Sequence, residues 1–228
     1  AGSIPPGIAE WYCRWRHAER VYIFLNAIPD ERLKWKQTSI REELGRICES
    51  HNQDLAELYK LSTVFRGEAD LRFCAILLRL ADILDFDRTR SPQEVYDYLG
   101  LSRRTDPRKT ESDVEWRKHL SSEGFLFPKK RTDGYPLPLI AGPDEPGVEN
   151  DLRAFLDLID GELGQCRALL ASCSDRWRGL SLPGTIDRTH IHANGYRYGE
   201  YRFTLDQNQI LNLLMGEKNN ILLSDFGI

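Results

Sequence analysis

The segment that most restricts this fold is Leu71–Leu84, LRFCAILLRLADIL. Leu71, Ala75, Leu78 and Asp82 fall on one stripe at helical spacing, and Phe73, Ile76, Leu77, Leu80 and Leu84 cover most of the remaining surface. A helix that is apolar nearly all round belongs at the centre of a domain. The expectation is therefore a buried Asp82. An ionised carboxylate without a partner is costly to bury, which leaves three roles for it. It pairs with an arginine such as Arg79 or Arg88, it accepts hydrogen bonds from a helix end, or it joins histidines around a metal.

Shorter helical patterns surround this segment. Residues 17–28 carry Val21, Phe24, Leu25 and Ile28 at helical spacing and stop at Pro29. Ser39-Ile-Arg-Glu42 reads as a capping box, and the helix it opens aligns Ile40, Leu44, Ile47 and His51. A short helix follows over 54–61. Ser91-Pro-Gln-Glu94 opens another, which Gly100 ends. Residues 103–111 read as a charged loop, and Ser112-x-x-Glu115 caps a short helix with Trp116 and His119.

Beyond residue 120, prolines and glycines signal strands and loops. A long amphipathic helix over 148–171 presents Leu152, Phe155, Ile159, Leu163, Cys166 and Leu170 on one stripe. Asn194-Gly195 predicts a tight hairpin, and Asp206-x-x-Gln209 caps a last helix over 210–215. The expected layout is mainly α. A helical bundle spans 1–119, and a smaller α/β segment with a β-hairpin spans 120–228.

Composition narrows the function classes. With 41% apolar residues, the 228-residue chain supports a real core. A net charge of −4 gives no strong nucleic-acid signal. The apolar runs are far shorter than a membrane span needs, and AGSIPPGIAEWYC has no leader-like apolar region. The expected location is the cytoplasm, with the five cysteines as free thiols.

The chemistry-bearing residues come from separate elements. His17 opens one helix, His51 ends another and Asp82 lies in a third. Drawing ligands from several helices is how a helical metal site is built, and imidazole with carboxylate suits Mn, Fe, Ni, Co or Zn. Arg79 and Arg88, with Lys60, are candidates for holding phosphate; helix-end ion pairing is the competing role, favoured for Arg79.

RHAERVYIFL, ICESHN and above all LRFCAILLRLADILDFDRTR resemble the later part of an HD-superfamily metal-dependent phosphohydrolase domain. The resemblance implies an HD-like helical bundle in which His17, His51 and Asp82 are metal ligands and Asp82 and His51 are catalytic. The family's His-Asp doublet does not occur in this sequence; the resemblance implies that it either precedes residue 1 in a longer chain or is absent, and that without it the domain is not a competent hydrolase. ESDVEWRKH (111–119) and IDRTHIHANGYRYGEYRFTLDQNQILNLLMGE (186–217) are similar to the segment that joins such a domain to a GHKL-type ATPase in bacterial conflict and stress proteins. This implies a regulatory or nucleotide-sensing module in phage defence or stress response, with the ATPase domain, a nucleotide or phosphoester, and a second copy of the chain as candidate partners. The alternative it implies is an active phosphohydrolase that cleaves a nucleotide or related phosphoester.

Three further signals carry less. LLSDFGI matches the kinase Asp-Phe-Gly, but the phosphate loop, strand lysine and His-Arg-Asp that give it meaning are absent from the sequence. His190 and His192 alternate as on a solvated strand face. Cys166 and Cys173 are seven residues apart, a spacing that suits packing.

Overall fold

The computed structural model describes Tyr12, Cys13 and residues 16–101, 107–129 and 132–199, with the side chains of 107–111 excepted. The protein is mainly α, with small β elements between the helices. Helix α1 (Val21–Ala27) packs on α2 (Arg41–Ser50). Their approach is close: a Cβ on Gly45 would lie 2.3 Å from the Tyr22 ring, so only glycine fits there. Leu25 is the buried residue of α1, whereas Phe24, expected inside, is 63% exposed. A helix this short covers only one narrow face of its neighbour α2.

The expected capping box does not form. Strands β1 (Lys34–Trp35) and β2 (Thr38–Ser39) make a hairpin around Lys36 and Gln37, both in the left-handed region, which places Ser39 in a strand. Its Oγ lies 3.4 Å from the Arg41 amide, and Glu42 pairs with Arg46 instead. After α3 (Leu55–Leu58), α4 (Leu71–Leu84) starts on Asp70, whose carboxylate accepts from the Phe73 amide at 2.9 Å.

Helix α4 is one-sided. Leu71, Phe73, Ala75, Ile76 and Leu80 are buried against α2 and α7 (Pro146–Leu170), while Cys74, Leu77, Ala81 and Asp82 are exposed. Its expected place at the centre is thus corrected: packing against α2 and α7 leaves the face of Cys74, Leu77, Ala81 and Asp82 to solvent among the described residues. The short helix α5 (Gln93–Tyr98) ends at Gly100, in the left-handed region. Helix α6 (Pro107–Leu120) starts at Pro107, inside the stretch expected to be a loop. The final helix of the described chain is α8 (Asp175–Arg178).

Strands β3 (Ser122–Phe125) and β4 (Pro136–Ala141) form the antiparallel hairpin, with a bulge between Ser122 and Gly124. Strand β5 (Thr185–Asp187) adds to β4 in parallel. Asn194 sits on the turn between β4 and α7, donating from Nδ2 to Gly142 O and from its amide to Pro143 O. The hairpin expected at Asn194-Gly195 does not form among the described residues, since 196–199 carry no strand; residues 200–205, the helix over 210–215 and the DFG stretch lie outside the described residues. One core runs across position 120. Leu58, Phe73, Ile76 and Leu80 meet Leu137, Leu139, Leu152, Leu156, Ile159 and Leu163 in a single cluster.

Candidate functional site

The ends of α2, α4 and α6 converge on a pocket of about 640 Å³. His17 enters it from the turn before α1, His51 from the C-terminal end of α2, Arg79 and Asp82 from α4, and His119 from α6. Of the residues singled out from the sequence, the structure brings His17, His51, Arg79 and Asp82 together. Arg88 and Lys60 are elsewhere: both are exposed, Arg88 is 4.0 Å from Glu123 and Lys60 pairs with Glu57 on α3.

His17 Nε2 and His51 Nε2 are 2.8 Å apart, with the rings edge to face. The other His51 nitrogen, Nδ1, lies against the Cys48 carbonyl. A carbonyl only accepts, so Nδ1 carries the proton and the neutral ring offers a lone pair at Nε2. His17 Nε2–H then donates to it. This fixes one tautomer of His51 and points its basic nitrogen at His17.

Asp82 is exposed rather than buried, and among the described residues its carboxylate makes no hydrogen bond or ion pair. The buried carboxylates of the molecule are different ones. Asp70 is 2% exposed and caps α4, also accepting from Ser174 N at 2.7 Å. Glu149 is 1% exposed, pairs with Arg153 and accepts from the Tyr196 hydroxyl at 2.7 Å.

Arg79 has all three nitrogens engaged. Nη1 donates to the carbonyls of Ser50, His51 and Gln53 at 3.1, 3.2 and 2.6 Å, while Nε and Nη2 face the carboxylate of Glu162 on α7. Arg90 lies at the rim and pairs with Asp85 at 3.2 Å. The lining therefore holds two arginines and four carboxylates: Asp82, Asp85, Glu115 and Glu162.

The opposite wall is aromatic. Trp116, Phe86 and Phe155 line it, with the His119 and Phe86 rings tilted against each other at 4.3 Å and those of Phe86 and Phe155 at 4.8 Å. Burial holds the His119 pKa below its ordinary value, and its Nδ1 donates to Asp87 O at 3.2 Å. Sequence reasoning gave Trp116 and His119 no role in the site, although their i, i+3 spacing puts them on one face of a helix. It also missed Glu162. The signal there was an acid set within the apolar stripe of Ile159, Leu163 and Cys166.

A family model described as HD-CE matches residues 3–165. The chain belongs to the HD-CE family. The match spans every pocket residue from His17 to Glu162 and carries the HD-like domain through most of α7. No curated protein and no solved structure matches the chain at a significant level.

Membership raises the question of a resident metal. The described HD-CE residues supply two convergent imidazoles, but no group of three or more His, Cys, Asp or Glu placed to hold an ion. The His17–His51 contact is satisfied as a hydrogen bond. The donor set does not fit a complete metal site, and no chemical step is assigned to a metal.

Proposed function

We propose that this HD-CE domain is a regulatory, nucleotide-sensing module of a larger bacterial ATPase system acting in phage defence or stress response. The observation that carries the ligand-sensing part is that His17, His51 and Asp82, from three separate elements, share one pocket with an aromatic wall, and Asp82 has no partner among the described residues. A carboxylate beside aromatic rings suits a nucleoside: the base stacks on Trp116, and ribose hydroxyls or base amines donate to Asp82. The acidic lining disfavours bare polyphosphate, so the phosphates enter as a magnesium complex with Arg90 at the rim. The link to an ATPase rests on the sequence resemblance of residues 111–119 and 186–217.

The hydrolase alternative draws on the same meeting of His17, His51 and Asp82. Elemental analysis and a phosphate-release assay with ATP and GTP separate the two. The sensing role predicts saturable nucleotide binding without stoichiometric transition metal and without phosphate release. Turnover that disappears in Asp82→Ala would replace it with the hydrolase.

A further inference from the structure

Arg79 and Glu162 both line the pocket, and the simplest role for such an arginine is to hold the ligand. Its hydrogen bonds argue otherwise. The guanidinium points behind His51, to the carbonyls of Ser50, His51 and Gln53, where the chain leaves the C-terminal end of α2. A cation there complements both those carbonyls and the negative end of the helix dipole. Glu162 holds the fork from the other side, and the pair is largely buried, with side-chain exposures of 16% and 13%. Glu162 in turn accepts from the Cys166 thiol at 3.5 Å. One guanidinium therefore ties α2, α4 and α7 together at the residue that presents an imidazole to the pocket.

We infer that Arg79 and Glu162 are positioning residues that fix His51 and, through its Nε2, its contact with His17. The chain of contacts is continuous. Glu162 orients Arg79, Arg79 clamps the His51 backbone carbonyl, the Cys48 carbonyl sets the His51 tautomer, and His51 Nε2 accepts the hydrogen bond from His17 Nε2–H. Lysine cannot replace this arginine, because a single ammonium lacks the planar fork that reaches three carbonyls and a carboxylate together. The functional meaning of this inference rests on the nucleotide-sensing reading, but its test does not.

The test is a histidine side-chain nitrogen NMR experiment on the full chain without ligand, in wild type, Arg79→Lys and Glu162→Gln. Wild type shows scalar coupling between His17 Nε2 and His51 Nε2 across the hydrogen bond. Arg79→Lys loses that coupling while the amide signals of β3 and β4 stay in place. Glu162→Gln, which keeps the size of the side chain, weakens the coupling and serves if Arg79→Lys fails to fold. Coupling that persists unchanged in a folded variant overturns the inference. So does loss of affinity for magnesium GTP in Arg79→Lys with the coupling intact, because Arg79 would then touch the ligand itself. Lost coupling with unchanged nucleotide affinity upholds the positioning role and removes the imidazole pair from the sensing reading.

Discussion

Helix α4 carries an aspartate at each end, and the two live in opposite conditions. Asp70, at the N-terminal end, is buried, accepts two backbone N–H groups and lies where the helix dipole favours negative charge. Asp82, in the last turn, is exposed, has no partner among the described residues and lies where the dipole disfavours it. Each aspartate has an arginine nearby on the same helix. Arg72 collects the carbonyls of Leu58, Tyr59, Leu61 and Ser172, and Arg79 those of Ser50, His51 and Gln53. Both arginines tie the helix to its neighbours. Of the two carboxylates only Asp70 does so. The fold accounts for Asp70; the role proposed for Asp82 is in the pocket that it lines.

That contrast breaks most visibly at Asp70. Asp70→Ala removes the cap of α4 and leaves two amides unpaired inside the protein, so it destabilises the fold by about 3 kcal/mol in urea unfolding. A loss below about 1 kcal/mol would remove Asp70 as the structural member of the pair. Asp82→Ala leaves stability within about 0.5 kcal/mol, tending to stabilise because it relieves the helix end. The same change weakens nucleotide binding about tenfold or more, as loss of a buried ligand contact does; calorimetry reads both sides of that prediction.

His119 sharpens the comparison with a pH dependence. Burial lowers its pKa in the folded protein below the ordinary 6.5. The unfolded chain therefore binds the proton more readily, and stability falls as pH drops from about 6.5 toward the lowered value. His119→Gln removes that part of the slope in denaturant midpoints measured across this range, whereas an unchanged slope would place the titrating group elsewhere. The smallest effect is expected at the two cations outside the pocket. Lys60→Ala and Arg88→Ala change nucleotide affinity by less than about twofold, as surface substitutions away from a site do, and a larger loss from either would extend the site beyond the pocket described.

Much of the helical layout was legible in the sequence because it follows from periodicity. Helix α4 occupies Leu71–Leu84 as its pattern required, and α7 starts within two residues of expectation. The burial of Asp82 was misread because apolar periodicity reports what a helix can bury, not how many neighbours surround it. Leu77 and Ala81 are apolar and exposed for the same reason. Ser39 satisfied the capping-box pattern, yet the Lys36–Gln37 turn drew it into a strand, since local pairing competed for the same residues. The pairing of His17 with His51 was legible only as a resemblance, because 34 residues separate them and no local spacing signals the contact. Arg79 and Glu162 are farther apart still, and their bond follows from the packing of α4 on α7.

The most direct measurement of the account is a titration of the protein with magnesium GTP and magnesium ATP, followed by NMR at the histidine and tryptophan side chains, in wild type and Asp82→Ala. The account predicts saturable shifts at His17, His51 and Trp116 in wild type and their loss in a folded Asp82→Ala variant. Shifts that survive the substitution, or saturable binding that leaves these three side chains unmoved, would contradict it.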